Sequence, residues 1–257
     1  MSEQVLTAVD GGILTATLNR PEARNALTFE MYDRLADICR TEAARDDVRA
    51  LIVTGAGEKA FAAGTDISQF RDFSTEADAI GYEERIEVVL NAVEECPVPT
   101  IAAISGACTG GGAGIAAACD LRIAAANARF GFPIARTLGN CLSMANYARL
   151  VALIGAGRVV DVILTARLVG ADEAARIGLI SEVLEDHAAL MARAAELAAT
   201  VAGHAPLTMR ATREALRRLR EGRRDGEDLI TMCYMSADFR EGLEAFLAKR
   251  PAQWTGR

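Results

Sequence analysis

Two stretches of small residues are the first candidates for chemistry in this sequence. Residues 59–67 (KAFAAGTDI) follow an apolar run and a Gly-Ala-Gly turn, and residues 105–112 (SGACTGGG) follow a second apolar run and precede a helical pattern. Small residues leave backbone N–H groups open to a ligand, and a helix N-terminus adds the positive end of its dipole. Each stretch alone is also typical of a tight turn. Together they predict a pair of N–H donors that converge on one carbonyl oxygen.

The elements around these stretches predict an α/β protein. A hairpin over residues 5–18 is followed by alternating helices and strands, and this order favours parallel strands joined by helical crossovers. From Met144 onward the pattern is mainly helical, and only residues 181–184 are predicted to be extended. The predicted strands of the first part are 5–9, 13–18, 50–54, 100–105 and 121–125. The first predicted helix begins after its N-cap Thr28, the second runs over residues 75–95, and the third follows the glycine triplet and ends at residue 118.

Composition and charge narrow the functional class. The chain has 257 residues, of which 51% are hydrophobic, and this is enough for a sizeable core. Its 28 Lys and Arg against 35 Asp and Glu give a net charge of −7, which argues against a dedicated nucleic-acid binder. Six cysteines without a CxxC pair and only two histidines predict neither a metal site nor a disulfide framework. The first ten residues lack the basic start and apolar run of a secretory signal, so we expect a cytoplasmic protein without a membrane span.

The C-terminal part is predicted to be a helical region of its own. We divide the chain into an α/β core over residues 1–200 and a helical region over residues 201–257, whose apolar stripes are expected to pack on a partner subunit. This region holds the one basic cluster of the sequence: Arg213, Arg217, Arg218, Arg220, Arg223 and Arg224. A solvated face is the simplest interpretation of such a run. A phosphate site and weak RNA binding are alternatives, although no aromatic residues are interleaved there for RNA.

Three motifs, in this order, resemble those of the crotonase superfamily, also called the enoyl-CoA hydratase/isomerase family. Residues 19–27 (NRPEARNAL) are similar to its opening NRP…NAL segment, residues 61–67 to its FxAGxD segment, and residues 99–120 to its PxIAAxxGxxxGGG…CD segment. Later stretches also fit, so the resemblance covers nearly the whole chain. It implies a spiral of β-β-α turns with a helical C-terminal trimerisation region, and a homotrimer or a dimer of trimers. It also implies an acyl-CoA thioester as substrate, with no cofactor beyond the coenzyme A of that substrate.

The same resemblance assigns site residues. The thioester carbonyl would lie between the backbone N–H groups of Ala63 and Gly111, which would stabilise an enolate-like oxyanion. Phe246 and Lys249 match positions that contact the acyl-CoA in members of the family, often from a neighbouring subunit. The other residues expected along coenzyme A are Arg24, Ala26, Ala62, Gly64, Thr65, Asp66 and Ile67. For Asp66, capping or holding the loop is the alternative role.

The sequence departs from the hydratase pattern at two positions. Hydratases of the family have one glutamate two residues after the triple glycine and another after the Phe-Gly-x-Pro segment, and Gly114 and Ile134 stand there instead. Neither side chain can exchange a proton, so the usual two-carboxylate hydration is in doubt. On the helix after the first donor loop, Glu83, Glu84 and Glu87 offer carboxylates. Glu87 is the predicted base, and a solvated helix face is the alternative for each of the three.

The sequence therefore predicts an acyl-CoA-transforming enzyme whose reaction is open. Isomerisation, hydration by a substitute base, decarboxylation and thioester hydrolysis all use the same oxyanion. A non-catalytic acyl-CoA-binding or regulatory member of the family is the alternative function, and an RNA-associated protein is a third. Arg136, Asn140 and Cys141 are further candidates for substrate contacts. Cys141 as a nucleophile would need a lowered pKa, and no histidine is near it in sequence.

Overall fold

Ten strands in two sheets form the framework of the computed structural model, which describes residues 3–257. In chain order the strands are β1 (Val5–Asp10), β2 (Ile13–Leu18), β3 (Ala50–Gly55), β4 (Ala60–Ala62), β5 (Thr100–Ile104), β6 (Ala107–Thr109), β7 (Leu121–Ala125), β8 (Arg129–Gly131), β9 (Val169–Gly170) and β10 (Glu182–Leu184). The larger sheet has the order β1-β2-β3-β5-β7-β10, and the smaller has the order β4-β6-β8-β9. The pairs β1–β2 and β8–β9 are antiparallel, and all others are parallel.

Ten α-helices complete the fold. They are α1 (Phe29–Asp37), α2 (Glu76–Glu94), α3 (Gly111–Ala118), α4 (Met144–Ile154), α5 (Ala156–Thr165), α6 (Ala171–Arg176), α7 (His187–Ala202), α8 (Pro206–Arg220), α9 (Glu227–Tyr234) and α10 (Ala237–Ala248). The predicted N-cap Thr28 is confirmed, since its side chain accepts from the backbone N–H of Met31. Helix α2 begins with a reciprocal capping box between Thr75 and Asp78.

The chain winds as a spiral of β-β-α turns. β3, β4 and α2 form one turn, β5, β6 and α3 form the next, and the first strand of each turn joins the larger sheet while the second joins the smaller. Because successive turns stack in parallel, the ends of β4 and β6 lie side by side. The α/β prediction and the implied spiral are therefore confirmed.

The larger sheet is buried on both faces. One face contributes Leu51 and Val53 of β3 to the main core, and the other contributes Ile52 to a second cluster with Leu190 and Ala194 of α7. A strand that is covered on both sides has no polar face, which explains the unbroken apolar runs of β3 and β5. Within residues 3–257, no helix is both long and apolar enough to cross a membrane.

The smaller sheet was not predicted from the pattern of residues. Its strands β4 and β6 lie inside the two stretches that the sequence analysis treated as turns, and each has only three residues. A strand of three residues, Ala-Phe-Ala in β4 and Ala-Cys-Thr in β6, is too short to show an alternation of polar and apolar positions. By contrast, the mainly helical pattern predicted from Met144 onward is confirmed by α4 to α10.

Arginines fasten helix α8 to the core, and Arg213 makes most of these bonds. Arg213 donates to a carboxylate oxygen of Asp120 at 2.7 Å, to the carbonyl of Cys96 at 2.7 Å and to the carbonyl of Glu94 at 3.0 Å. These bonds satisfy the exposed carbonyls at the end of α2. The bonds of Arg213 therefore join the two predicted regions across the boundary between residues 200 and 201. Residues 1 and 2 of the predicted core lie outside the described residues.

Candidate active site

A cavity of about 180 Å³ lies where β4 and β6 end, between α2, α3 and the start of α4. Its apolar lining consists of Ile67, Phe70, Ile86, Leu90, Phe132, Pro133, Ile134, Leu138 and Leu142. Among the described residues that line it, Glu83 is the one carboxylate, and none is Arg, Lys or His. Gly114 and Ile134 both face this cavity.

The first donor loop is paired along its length with residues 24–27. The N–H of Ala63 donates to the carbonyl of Arg24 at 3.1 Å, the N–H of Leu27 donates to the carbonyl of Gly64 at 2.8 Å, and the N–H of Asp66 donates to the carbonyl of Leu27 at 2.8 Å. The structure thus brings together the predicted coenzyme A residues of both segments. It also corrects one prediction: the N–H of Ala63 already has an acceptor and is not open to a substrate.

Thr65 offers the N–H group that Ala63 lacks. Thr65 and Leu27 form an isolated parallel bridge, and the hydrogen bonds of that bridge run through the residues on either side of Thr65. The N–H of Thr65 therefore faces away from Leu27, and it has no acceptor within residues 3–257. Because Thr65 lines the cavity, this N–H replaces that of Ala63 as the first candidate donor.

The second donor is the first N–H of α3. Gly110 precedes the helix with φ 52° and ψ −121°, a backbone conformation that side chains strongly disfavour. Gly111 begins the helix, so its N–H has no partner inside the helix. A Cβ at Gly111 would overlap the hydroxyl of Tyr32 and would lie 3.2 Å from Oγ1 of Thr65. The glycine thus lets a helix end, a buried tyrosine and the first donor loop meet at one point.

Three hydroxyl groups are linked beside the two donors. Oγ1 of Thr65 lies 2.9 Å from the hydroxyl of Tyr32 and 2.8 Å from the hydroxyl of Tyr82. Burial raises the pKa of both tyrosines, so both remain protonated at neutral pH. Three O–H groups share two contacts, and Tyr32 is fully buried with Thr65 as its partner. One hydroxyl hydrogen is therefore left for the cavity, from Thr65 or Tyr82, both of which line it.

Glu83, rather than Glu87, is the carboxylate of the cavity. Burial raises the pKa of Glu83, the backbone of Ser143 partly opposes this rise, and the charge of Glu87 adds to it. Glu87 instead accepts from Arg149 at 2.6 and 3.0 Å and from Oγ of Ser143 at 3.3 Å. The prediction of Glu87 as the base is thus not supported by its position, because its carboxylate is occupied by an arginine that is 2% exposed.

Asp66 holds the first donor loop, as its alternative role predicted. Its carboxylate accepts from the N–H and hydroxyl of Ser68 at 3.1 and 2.7 Å, and from Arg20 at 3.0 Å. The bonds from Ser68 lead the causes that lower the pKa of Asp66. Arg20 also donates to the carbonyl of Ala26 at 2.6 Å, so one side chain ties both segments together.

Four other predicted contacts lie outside the cavity lining within the chain, and one of them is the exposed Arg136. Phe246 is 82% exposed on α10, and Lys249 ends that helix in a left-handed conformation at φ 53°. Cys141 is exposed and is not part of the described cavity lining, whereas Asn140 is.

The basic cluster of α8 is largely neutralised by carboxylates. Arg213 pairs with Asp120, Arg218 with Glu214 and Asp228, and Arg220 with Glu94. Arg217 and Arg223 are also within 3 Å of carboxylate oxygens. Paired arginines attract phosphate weakly, so a face of ion pairs is the simplest description of these five arginines.

Sequence reasoning missed several residues that the fold brings to the site. Tyr32 lies on the apolar face of α1 and Tyr82 lies on α2, so both resemble ordinary core or surface positions. Glu83 and Glu87 share a helix face, and no local signal shows which one meets Arg149. Asn146 also lines the cavity, and its place in the chain, two residues into α4, gave no sign of it.

The β-β-α spiral, with N–H donors at the ends of two parallel strands, defines a crotonase-type α/β enzyme. Residues 8–257 match the sequence profile of the family described as enoyl-CoA hydratase/isomerase. The chain is 34% identical to the short-chain-enoyl-CoA hydratase of Clostridium acetobutylicum, over 96% of this chain and 95% of that protein. It is 32% identical to the crotonyl-CoA hydratase of Syntrophomonas wolfei, over 99% of both.

Solved structures agree with this assignment. An enoyl-CoA hydratase/carnithine racemase from Magnetospirillum magneticum superposes with a TM-score of 0.91 at 34% identity, covering 100% of this chain and 97% of that one. An enoyl-CoA hydratase/isomerase family protein from Hyphomonas neptunium superposes with a TM-score of 0.92 at 36% identity, covering 100% and 99%. The chain belongs to the enoyl-CoA hydratase/isomerase family.

Proposed function

We propose that this enzyme transforms an acyl-CoA thioester through an enolate, with Thr65 and Gly111 binding the carbonyl oxygen and Glu83 moving the proton. The observation that carries the proposal is that two N–H groups without acceptors share one small cavity with a single carboxylate of raised pKa. Donors aimed at the oxygen are most effective where charge develops. A base is most effective when its pKa lies near the working pH.

The proposed step begins at the carbon next to the thioester carbonyl. Glu83 takes a proton from this carbon, and the electron pair moves onto the carbonyl oxygen, where it is stabilised by the N–H groups of Thr65 and Gly111. The remaining hydroxyl hydrogen of the Thr65–Tyr82 pair would add a third donor at this place. When the proton returns, Glu83 regains its charge and the thioester carbonyl is restored.

A single carboxylate favours isomerisation among the reactions open to the family. Glu83 can take a proton from one carbon and return it to another, which moves a double bond without a second group. Hydration requires that a water be activated and a carbon be protonated, and the positions expected to hold the two hydratase glutamates are Gly114 and Ile134. Hydration with Glu83 as the one proton-transfer group is the second candidate, because similar proteins are named as hydratases.

Coenzyme A is proposed to run along the paired segments 24–27 and 62–67. Their interlocking hydrogen bonds make a fixed edge for a nucleotide and its pantetheine arm. Phe246 and Lys249 would reach the ligand of a neighbouring subunit rather than that of their own. Beyond the coenzyme A of the substrate, the proposed chemistry needs no cofactor.

The test is a turnover panel followed by mass spectrometry and by separation of isomers. The panel holds 3-enoyl-CoA, crotonyl-CoA, a malonyl-type CoA and an aryl-CoA, each with the wild-type protein. We expect conversion of the 3-enoyl thioester to its 2-enoyl isomer. Binding of all four without conversion of any would contradict the catalytic proposal and favour a non-catalytic acyl-CoA-binding member.

A further inference from the structure

One polar side chain that lines the cavity, the amide of Asn146, is open to it. Asn146 is 5% exposed, yet its side-chain amide makes no hydrogen bond within residues 3–257. Its backbone N–H is satisfied by Oγ of Ser143 at 3.2 Å, so only the side chain lacks a partner. The amide therefore presents one donor group and one acceptor to whatever occupies the cavity.

The open space in front of this amide follows from a glycine. A Cβ at Gly114 would lie 3.8 Å from Oδ1 of Asn146 and 3.5 Å from Leu90. Any longer side chain at position 114 would therefore fill the space between α3 and the amide. With glycine there, both Gly114 and Asn146 line the same cavity.

The backbone that carries the amide is held in place relative to Glu83. Ser143, which caps α4, also lies 3.3 Å from a carboxylate oxygen of Glu87, and Arg149 on α4 donates to the same carboxylate. Glu87 thus clamps the first turns of α4 to α2, the helix that carries Glu83. A polar group that is fixed before the ligand arrives is typical of a recognition site.

We propose that Asn146 binds a neutral oxygen, a hydroxyl or a carbonyl, on the acyl group of the substrate. This inference rests on the proposed acyl-CoA function. A carboxamide both donates and accepts hydrogen bonds, which suits either oxygen. A carboxylate on the acyl group is disfavoured, because no Arg, Lys or His of the described chain lines the cavity and Glu83 would repel the second charge.

The size of the cavity limits the acyl group. Its volume of about 180 Å³ is well below the roughly 300 to 1,000 Å³ of drug-sized ligand sites. The rest of its lining is apolar, with Leu90 and Ile134 near Gly114. The substrate class is therefore a short acyl-CoA whose chain carries one uncharged oxygen.

The test compares the binding of acyl-CoA thioesters by calorimetry with the full-length wild-type protein. The ligands are butanoyl-CoA, 3-hydroxybutanoyl-CoA, 4-hydroxybutanoyl-CoA, 3-oxobutanoyl-CoA and succinyl-CoA. We expect at least one of the three neutral oxygenated ligands to bind about tenfold more tightly than butanoyl-CoA, and succinyl-CoA to bind no more tightly. Equal affinity for butanoyl-CoA and all three, as expected if water alone occupies the amide, would overturn the inference.

Two variants at position 146 test whether Asn146 causes the preference for neutral oxygenated ligands over butanoyl-CoA. Asn146→Leu should abolish it while keeping the affinity for butanoyl-CoA, and Asn146→Ala gives the same readout if the leucine does not fit. Gln253→Leu is the control, since Gln253 carries an exposed amide outside the cavity lining, and it should keep the preference. A preference that survives both changes at position 146 would also overturn the inference. Failure of every thioester to bind would instead contradict the proposed acyl-CoA function itself.

Discussion

At the scale of single residues, Glu83 and Glu87 lie one helical turn apart but have different surroundings. The two side chains lie on one face of α2, but Glu87 meets the buried guanidinium of Arg149, which is 62 residues away in sequence. Glu83 has no such partner and lines the cavity. Sequence spacing predicts the shared face but not the partner, because that partner depends on how α4 packs on α2.

The raised pKa of Glu83 predicts a pH dependence of catalysis. The base must be ionised, so kcat/KM should rise with pH through the ionisation of Glu83, with a midpoint above 4.5, its ordinary value. Steady-state rates between pH 4 and 9 give this midpoint. A midpoint at or below the ordinary value would contradict the argument from burial.

The same shift predicts how stability responds to the loss of this charge. A carboxyl with a raised pKa in the folded state contributes stability that is complete below the unfolded pKa and is lost as pH rises through the folded pKa. At pH 7 the ionised Glu83 is therefore unfavourable for folding, and Glu83→Gln should raise Tm. At pH 4 the gain should largely disappear, and thermal unfolding at both pH values makes the comparison.

At the scale of elements, the N-terminus of α3 is positioned by close packing. Gly111 touches the hydroxyl of Tyr32, which is itself fixed by Thr65. The sequence predicted the helix start and the donor at Gly111, because a glycine triplet after a strand is a local signal. It did not predict Tyr32, because contact between α1 and α3 is a product of the spiral.

This packing predicts a paired substitution effect. Gly111→Ala should lower the free energy of unfolding by about 1 to 3 kcal/mol, because the new methyl group overlaps the hydroxyl of Tyr32. Tyr32→Phe removes that hydroxyl, so the double variant should lose less than the sum of the two single losses. Urea unfolding of all four proteins measures the coupling, and strict additivity would contradict the contact.

The clamp between α2 and α4 predicts a different effect for Glu87. Glu87→Gln should lower the free energy of unfolding by about 1 to 3 kcal/mol, because Arg149 loses one charged partner while it keeps Glu94 at 3.0 Å. The turnover number should fall far less than in Glu83→Gln. A loss of turnover as large as that of Glu83→Gln, with unchanged stability, would restore Glu87 as the catalytic group.

At the scale of the whole molecule, the C-terminal helices expose several large apolar side chains. On α9 and α10 the most exposed apolar side chains are Ile230, Tyr234, Leu243, Phe246 and Leu247, and the last is 72% exposed. Contiguous apolar surface of this kind marks an interface in most proteins. We expect a homotrimer or a dimer of trimers built on these helices.

Sedimentation velocity tests the expected assembly. The wild-type protein should sediment with a mass of three or six chains, and Phe246→Asp should shift it toward a single chain. Val9→Asp on β1, at a separate partly exposed apolar position, is the control and should leave the assembly intact. A monomeric wild-type protein would contradict the expectation and would leave Phe246 and Lys249 outside the lining of the cavity that holds Glu83.

The sequence alone predicted the fold class and most helices, because these have local signals: periodicity, caps and glycines. It assigned the first donor to Ala63, whose N–H donates to the carbonyl of Arg24, because motif matching does not show which N–H already has an acceptor. Only the pairing of residues 24–27 with 63–66 distinguishes Ala63 from Thr65. Likewise, the burial of Asn146 and the freedom of Glu83 depend on contacts between distant elements.

The most direct test of the account is exchange of the α-protons of butanoyl-CoA with D₂O, followed by mass spectrometry. This ligand cannot be isomerised or hydrated, so exchange reports only proton removal by Glu83 and enolate stabilisation by Thr65 and Gly111. We predict that the wild-type enzyme incorporates deuterium and that Glu83→Gln is slower by about 100-fold or more. Equal exchange rates in the two proteins, or none in the wild type, would contradict the account.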